Sequence, residues 1–338
     1  MKKLKIKRKK FLINRCKKQL RKRTKRNKKK YQISRSGRKL ELRKQPEYRA
    51  VEAPENLTLK FEHSKKVLEF IKEIKQLGER GYFIDLRLEK VEIIAEGAIA
   101  MLLSVISDLE RQRIFFTGEK PKNENAKNVL ERSGLFEHMN GSVSKKNKIT
   151  KNKILKTGNI NTHQKELVPE IHNAMETIWG VSARCPDLYS GIGEMMRNSC
   201  DHAFISKKAT LWHLGISHFD DSNCCKFSFL DNGAGIIKTY TKKGVLNKIA
   251  NYFKDNAEIL DTAFKDGIRS KTGLSWRGKG LPTIFEMYTE NVITNLIVIT
   301  NDVYLDFDRK ICKTIPTSFS GTYYFWKIDK TCEPSYFK

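Results

Sequence analysis

The sequence predicts an α/β protein with two folded parts behind a strongly basic N-terminal segment. Short apolar runs alternate with amphipathic, helix-like segments between residues 51 and 140. From residue 161 onward, glycine-rich turns follow apolar strands and precede helices. Alternating strands and helices favour a sheet with helices packed on it, because each apolar face needs a partner. With 338 residues and a hydrophobic fraction of 39%, the chain can build two cores.

The first segment, residues 1–44, carries most of the positive charge. It holds 23 Lys or Arg residues and one acid, Glu41, so its net charge is +22 of the +28 of the whole chain. Like charges at this density repel each other and bury little surface, so we predict a disordered tail over residues 1–50. Such an arm suits nucleic acid, an acidic partner or an anionic membrane surface, and a solvated extension without a partner is the alternative.

Residues 51–140 are predicted to form a small α/β domain. Apolar residues at helical spacing or in short runs mark each element. The predicted elements begin at Ser64 (a helix with Ser64 as N-cap), Tyr82 (strand), Ile94 (helix), Arg113 (strand) and Asn125 (helix).

The order and spacing of these elements resemble STAS domains, the small partner domains found with anti-sigma regulatory kinases. The resemblance runs from Phe83 to Met139 and includes the strand FIDL, the helix IAMLLSVISDLERQ and the strand RIFFTG. Phosphorylatable STAS domains carry a serine in the turn before that helix, whereas residues 94–98 read Ile-Ala-Glu-Gly-Ala. The missing hydroxyl argues against a phosphorylation switch at this turn.

Residues 141–160 are polar and basic and are predicted to be a linker to a second domain, residues 161–338. No stretch approaches the roughly 18 apolar residues that span a bilayer, so no transmembrane segment is predicted. The N-terminus lacks the apolar core of a secretory signal. The seven cysteines form no CxxC pair, which favours reduced thiols in a cytoplasmic protein.

A polar stripe lies along the helix predicted from Asp187. Glu194, Asn198 and His202 are each four residues apart, so they share one helix face. The side-chain oxygen of an asparagine is a hard ligand that suits magnesium, and a carboxylate beside a metal can orient or deprotonate water. The alternative is the solvent-facing stripe of an ordinary amphipathic helix.

A first glycine turn follows the apolar strand that begins at Lys226. Asp231 ends the strand, where its carboxylate can accept a hydrogen bond from an exocyclic amine such as that of adenine. Gly233 and Gly235 let the backbone approach a ligand closely. The same residues also suit a simple turn, which is the alternative.

A second glycine turn, Arg277-Gly-Lys-Gly, precedes a helix with Pro282 near its start. Backbone N–H groups at a helix N-terminus attract anions, and Arg277 and Lys279 add charge. Gly273 to Lys279 reads as GxxxxGK, but Gly280 stands where a P-loop has its magnesium-binding hydroxyl, so a P-loop is rejected. An ordinary mobile loop is the alternative.

The order of these motifs resembles the GHKL ATPases, the superfamily of gyrase, the heat-shock chaperone ATPases, histidine kinases and MutL. GEMMRNSCDHA resembles the N box, in the E-x-x-x-N-x-x-x-H form of anti-sigma serine kinases. DNGAGI and RGKGLP resemble the two glycine boxes, and Ser320-Gly-Thr resembles the closing Gly-Thr. The match runs from residue 165 to residue 327, and four motifs in this order are far more specific than any one of them.

The resemblance implies a Bergerat fold, a two-layer α/β sandwich with a mixed sheet and a mobile lid within residues 238–277. It implies that Asn198 holds Mg²⁺, that Glu194 acts as the base or orients water, and that Asp231 binds the adenine amino group. His202 is either a phosphate contact or a structural residue. The further ATP contacts implied are Gly233, Gly235, Ile236, Arg277, Gly278, Lys279, Gly280, Leu281 and Thr322.

Three functions are consistent with these features. The first is a regulatory ATPase or protein serine/threonine kinase, in which ATP orders the lid and changes contacts with a regulatory protein partner. The second is an ATP-dependent factor that binds nucleic acid through residues 1–44. The third is a non-catalytic ATP sensor. A conventional histidine kinase is disfavoured because His163 and His172 lack the phosphoacceptor pattern, and the resemblance also allows a homodimer.

Overall fold

The computed structural model describes residues 47–133, 135, 153–158, 164–203, 211–242, 253–265 and 280–334. Nearly all of the tail predicted over residues 1–50 lies outside the described residues. From Tyr48 onward the chain belongs to one compact unit. This unit contains both parallel and antiparallel strand pairs together with helices, which confirms the predicted α/β fold class.

The N-terminal part is built on a three-stranded parallel sheet. Its strands are β1 (Tyr48–Glu52), β3 (Phe83–Arg87) and β5 (Phe116–Glu119), in the order β1-β3-β5. A short parallel pair joins β2 (Asn56–Leu57) to β4 (Ile93–Ile94). The helices of this part are α1 (Phe61–Glu79), α2 (Glu96–Arg111) and α3 (Glu124–Arg132).

The first helix begins earlier than the sequence predicts. Ser64 lies inside α1, where its hydroxyl donates to the Phe61 carbonyl at 2.9 Å and does not cap the helix. By contrast, Asn123 caps α3, since its side-chain oxygen accepts from the backbone N–H groups of Asn125 and Ala126 at 3.0 and 3.1 Å. A serine hydroxyl can donate a hydrogen bond to a carbonyl of the preceding helical turn, and it can also cap a helix. The serine alone therefore does not distinguish the two positions, and the sequence predicts the start of α1 too late.

The C-terminal part is built on a five-stranded sheet. Every described pairing in this sheet is antiparallel, whereas the resemblance implies a mixed sheet here; the parallel pairs of the chain lie in the N-terminal part. The strands, in the order β6-β7-β8-β10-β9, are β6 (Lys153–Gly158), β7 (Leu211–Phe219), β8 (Cys224–Asp231), β9 (Thr294–Asp306) and β10 (Ile311–Asp329).

Strand β6 lies within residues 141–160, which the sequence predicts as a linker. Its backbone pairs with β7 from the Lys153–Ile216 pair to the Gly158–Leu211 pair, so this part of the segment belongs to the sheet. The segment is rich in lysine, which is compatible with an edge strand because only one side of such a strand is paired. The predicted linker is therefore wrong for residues 153–158, because their polar composition does not indicate a strand.

One face of the five-stranded sheet is covered by helices. They are α4 (Gln164–Trp179), α5 (Pro186–Ala203), α6 (Ile236–Lys242), α7 (Asn256–Lys265) and α8 (Gly280–Thr289). Their apolar residues share one core with the sheet, in which Phe227 stacks on Trp326 at a centroid distance of 5.2 Å. Among the described residues, no helix has the length and apolar character to cross a bilayer.

The opposite face of the same sheet packs against α1 and α2. Leu230 and Tyr323 lie in one core with residues of α1, α2 and the N-terminal sheet. The Tyr304 hydroxyl donates to the Leu59 carbonyl at 3.2 Å, and Arg309 forms an ion pair with Glu62. The segments predicted as separate domains, 51–140 and 161–338, thus share a continuous apolar core.

Gly97 marks the tightest point of this shared core. A Cβ atom at Gly97 would lie 1.9 Å from the Tyr323 hydroxyl oxygen, so α2 approaches β10 closely only because residue 97 has no side chain. We expect Gly97→Ala to lower the free energy of unfolding by about 1–3 kcal/mol, the usual cost of overpacking. Urea denaturation followed by circular dichroism measures this change.

A matched control is available in helix α5. Gly193 is also helical, but no atom lies within 4 Å of a Cβ added there, so Gly193→Ala should be neutral or stabilising by up to about 1 kcal/mol. Adding Tyr323→Phe to Gly97→Ala should restore part of the lost stability, because it removes the overlapping oxygen. Equal stabilities of the two single alanine variants would contradict the packing described.

Candidate functional site

Helix α5 places Glu194 and Asn198 at the boundary of the core. The helix buries Ile192, Met195 and Met196 against the sheet, so Glu194 and Asn198 lie half-buried on the adjoining face. Glu194 Oε1 accepts from Arg197 Nη1 at 2.6 Å, and the Glu194 side chain is 18% exposed. The carboxylate therefore keeps contact with solvent while one of its oxygens is held in place.

His202, the third member of the predicted stripe, lies in the last turn of α5. Its side chain lies outside the described residues, as do Arg277, Gly278 and Lys279 of the second glycine turn. Gly280, the last residue of this turn, is described and is the first residue of α8.

Gly280, the last residue of the second glycine turn, lies against α5. A Cβ atom at this position would lie 2.9 Å from Glu194 Oε2 and 3.1 Å from Asn198 Nδ2. The N-terminus of α8 thus stands beside both polar side chains, although the two segments are far apart in the sequence. Because the first N–H groups of a helix have no partner within it, this end of α8 suits an anion.

The packing of α8 on α5 depends on small and apolar residues near this contact. A Cβ atom at Gly191 would lie 2.1 Å from Met287 Cε, so the glycine makes room for the methionine. Leu281, predicted to contact ATP, is largely buried and belongs to the core on the helix face of the sheet. The packing of Met287 against Gly191 and the burial of Leu281 in the core therefore hold the start of α8, and with it Gly280, against α5.

Asp231 lies at the end of β8, paired with Thr322 of β10. Its Oδ1 accepts from the Gly233 N–H at 2.8 Å, and its Oδ2 accepts from the Ser199 hydroxyl at 3.3 Å. Burial raises the pKa of Asp231 to about 6, while hydrogen bonds from Gly233, Ser199 and Thr322 act in the opposite direction. A buried carboxylate with this pKa is mostly ionised at neutral pH and remains a hydrogen-bond acceptor.

The first glycine turn is held by an asparagine of strand β9. Gly235 has a φ of 84°, and a Cβ atom there would lie 2.5 Å from the Asn301 side-chain amide. Asn301 Nδ2 donates to the Ala234 carbonyl at 2.8 Å, and its Oδ1 accepts from the Lys238 N–H at 3.1 Å. Glycine is needed here for its conformation and for the space it leaves.

Thr300, the neighbour of Asn301, ties the start of α6 to strand β10. Its hydroxyl accepts from the Ile236 N–H at 3.0 Å and donates to the Gly321 carbonyl at 3.0 Å. The oxygens of Thr300 and Thr322 are 3.3 Å apart. The predicted residues Ile236 and Thr322 are thereby linked through one buried hydroxyl.

Gly321 allows β10 to reach the end of β8. It has a φ of 130°, and a Cβ atom there would lie 2.0 Å from the Asp231 carbonyl oxygen. The hydroxyl of the preceding Ser320 donates to the Gly233 carbonyl at 3.2 Å. The closing Gly-Thr motif and the first glycine turn therefore form one connected structure.

The predicted residues gather in two adjoining groups. Glu194, Asn198 and Gly280 form one group, and Ser199, one residue after Asn198, links it to Asp231 in the second. The second group comprises Asp231, Gly233, Gly235, Ile236 and Thr322.

Sequence reasoning missed Thr300 and Asn301 as supports of the site. The one signal that could have identified them is the polar run Thr300-Asn-Asp between the apolar runs 296–299 and 303–305. Asn301 also has a positive φ of 53°, a conformation in which asparagine is enriched. Nothing in the sequence connects the pair to a turn more than 60 residues upstream, whereas the hydrogen bond from Ile236 to Thr300 spans 64 residues.

Asp231 should give the protein a characteristic pH dependence. Since its pKa is raised to about 6 in the folded state, the folded state holds the proton more tightly than the unfolded chain, whose aspartates titrate near pH 4. The contribution is fully present below pH 4 and is lost as pH rises through 6, by about 3 kcal/mol at most. In Asp231→Asn no such titration occurs.

The measurement compares urea unfolding of wild type and Asp231→Asn between about pH 4 and pH 7. The stability of the variant relative to wild type should rise with pH across this range. Asp221→Asn, at an exposed position, controls for the loss of one surface charge. A difference between wild type and Asp231→Asn that stays constant with pH would contradict the raised pKa.

No protein-family model matches the chain, and no curated protein is detectably similar to it. The function of the site is therefore inferred from its own residues: their types, their order along the chain and the contacts among them. The contact of Gly280 with Glu194 and Asn198 is the most specific of these observations, because it joins two motifs that the sequence keeps apart.

Proposed function

We propose that this protein binds ATP with Mg²⁺ and acts as a GHKL-type regulatory ATPase or protein serine/threonine kinase. The observation that carries the proposal is the position of Gly280 against Glu194 and Asn198. A metal-binding amide, a carboxylate and a helix N-terminus that suits phosphate meet at one point, which is the set of groups that phosphoryl transfer requires. The buried acceptor Asp231 is linked to the same helix through Ser199.

The residues present fit Mg²⁺ and ATP. The Asn198 side-chain oxygen is a hard ligand for Mg²⁺, and the N-terminus of α8 beside it would hold phosphate oxygens. When bound, Mg²⁺ would neutralise phosphate charge. Each oxygen of the Asp231 carboxylate accepts one hydrogen bond, from Gly233 or from Ser199. Each oxygen retains a further lone pair, so the carboxylate would be able to accept a hydrogen bond from the adenine amino group.

Glu194 is positioned to act on the attacking group. Its Oε2 faces Gly280, while its Oε1 is held by Arg197. In an ATPase this carboxylate would orient a water molecule, and in a kinase it would accept the proton of a serine or threonine hydroxyl from a partner protein.

Replacing Asn198 tests the metal assignment. We expect Asn198→Ala to abolish Mg²⁺-dependent ATP binding, because the side-chain oxygen that would hold the metal is lost. Isothermal titration calorimetry with ATP, in the presence of Mg²⁺ or of a chelator, measures the effect. Asn125→Ala, an exposed asparagine of the N-terminal part, is the control. Unchanged affinity in Asn198→Ala would show that the metal ligand lies elsewhere.

Replacing Glu194 tests the catalytic assignment. Glu194→Gln keeps the size of the side chain but cannot accept a proton, so ATP binding should persist while turnover falls by about 10²-fold or more. Radiolabelled ATP distinguishes the outcomes, since free phosphate indicates an ATPase and a labelled protein in cell extract indicates a kinase. Glu290→Gln, an exposed residue following α8, is the control.

Two results would count against this proposal in different ways. Wild-type turnover in Glu194→Gln would remove the catalytic role of that carboxylate. Binding of ATP by the wild type without free phosphate or labelled protein would replace the enzyme by a non-catalytic ATP sensor.

A further inference from the structure

A groove between helices α1 and α2 lies on the side of the five-stranded sheet opposite α5 and α8. On α1 its lining residues are Leu68 and those three, four and seven positions after it, so they share one helix face. On α2 they are Ser104 and those one, four and five positions after it. Asn232 and residues 318–320 of β10 complete the lining, and we call this feature the α1–α2 groove.

The α1–α2 groove is small and largely apolar. Its apolar lining residues are Leu68, Ile71, Val105, Leu109 and Phe319, of which all but Val105 are buried. The groove has a volume of about 80 Å³. An apolar cavity that holds one benzene molecule has a volume of about 150 Å³. The groove therefore accepts a chain of a few carbon atoms and is too small for a helix or strand of a partner protein.

The hydroxyl of Ser104 is a buried donor in the lining of the α1–α2 groove. Ser104 is only 3% exposed, and its hydroxyl has no hydrogen-bond partner within the part of the chain that the structure describes. By contrast, the buried Ser199 of α5 donates to the Met195 carbonyl at 2.9 Å. Leaving a buried hydroxyl without a partner is unfavourable, which favours a ligand with an acceptor atom.

Two lysines give the α1–α2 groove an excess of positive charge. Lys72 is exposed and Lys75 is half-buried, whereas the lining contains a single acid, Asp108, among its described residues. Neither lysine forms an ion pair with Asp108 or with another described residue, unlike Lys65, which pairs with Glu69 at 4.0 Å. Their ammonium groups are therefore available to a carboxylate, whose oxygens can accept from both lysine and hydroxyl donors.

The β10 part of the groove also contacts the first glycine turn. The Ser320 hydroxyl donates to the Gly233 carbonyl at 3.2 Å, and Asn232 directly precedes Gly233. Phe319 Cε1 lies 3.2 Å from the position of a Cβ atom at Gly321, the residue that approaches the end of β8. A ligand that packs on Phe319 and Ser320 would therefore restrict the same backbone that holds the first glycine turn.

We propose that the α1–α2 groove binds a short-chain monocarboxylate, and that its occupancy strengthens ATP binding through the first glycine turn. The carboxylate accepts from Ser104 and the two lysines, while the alkyl chain packs among the apolar residues of the groove. One negative charge on the ligand balances the excess of one positive charge in the lining. The binding itself is independent of the proposed function, whereas its effect on ATP rests on that function.

Saturation-transfer difference NMR on the full chain measures the binding of sodium hexanoate. We expect a dissociation constant on the order of 1 mM, because a ligand of about eight non-hydrogen atoms makes few contacts. Acetate lacks the alkyl chain and hexan-1-ol lacks the charge, so each should bind at least about tenfold more weakly than hexanoate.

Two variants test the polar contacts. Ser104→Ala should weaken hexanoate binding by about tenfold, because a hydrogen bond to a charged group is lost. The same variant should be at least as stable as wild type in urea, since the wild-type hydroxyl has no partner in the described structure. The double variant Lys72→Gln/Lys75→Gln should lose measurable binding of hexanoate.

Each variant has a matched control outside the groove. Ser107→Ala changes a serine of α2 that is also buried, and it should bind hexanoate like wild type. Lys65→Gln/Lys66→Gln removes two positive charges from exposed positions of α1 and should likewise retain affinity. These controls separate contacts within the groove from changes in the net charge or in the packing of the helices.

Calorimetric titration with ATP and Mg²⁺, with and without saturating hexanoate, measures the effect on the first glycine turn. We expect hexanoate to tighten ATP binding about fivefold or more, and ATP to tighten hexanoate binding by the same factor, because coupling between two sites is reciprocal. An ATP affinity that is unchanged by hexanoate would overturn the regulatory role. If the wild type bound no ATP, the proposed function and this role would both fail, while the hexanoate titration would still decide the binding site.

Three further outcomes would overturn the binding site. Equal affinities for hexanoate and hexan-1-ol would make the groove a simple apolar cavity. Unchanged hexanoate affinity in both Ser104→Ala and Lys72→Gln/Lys75→Gln would place the binding elsewhere on the protein. No saturation transfer to hexanoate at roughly ten times the expected dissociation constant would exclude a carboxylate site altogether.

Discussion

The pairing of β8 with β10 is the interaction on which the rest of the structure depends. Phe229 and Tyr324 point into the core beneath the helices, while Leu230 and Tyr323 point into the core shared with α1 and α2. The next pair, Asp231 with Thr322, returns to the helix face and carries the site. Because the side chains of a strand alternate, a shift of the pairing by one residue would place a carboxylate in one core and a leucine in the site.

The site is assembled from helices that this sheet supports. Helix α5 brings Glu194, Asn198 and Ser199 to the end of β8, and α8 brings Gly280 against the first two. The contacts within the site are mostly backbone to side chain, as in the bonds of Thr300 and Asn301 to the first glycine turn. The glycines permit these close contacts, because the Asn301 amide and the Asp231 carbonyl lie where Gly235 and Gly321 would otherwise carry a Cβ atom.

The sequence allowed the α/β class, the helix of Glu194 and Asn198, the strand ending at Asp231 and the first glycine turn to be predicted, since periodicity and turn chemistry are local signals. It did not indicate that residues 51–140 would share a core with the second part. Apolar residues such as Leu230 and Tyr323 are expected to be buried, but the sequence does not show which residues they pack against. Strand β6 was not predicted, because its lysines are also typical of a polar linker. Thr300 and Asn301 act through long-range contacts, for which a single sequence holds no pattern.

The shared core also has a consequence for synthesis of the chain. Helices α1 and α2 leave the ribosome well before β8 and β10. At ordinary rates of translation, roughly 10–40 s pass before both Leu230 and Tyr323 are available to cover the apolar faces of these helices. During that interval the apolar side of the N-terminal part lies open to chaperones and to neighbouring nascent chains. The close contact of Tyr323 with Gly97 is thus a late event of folding, reached only once β10 has been made.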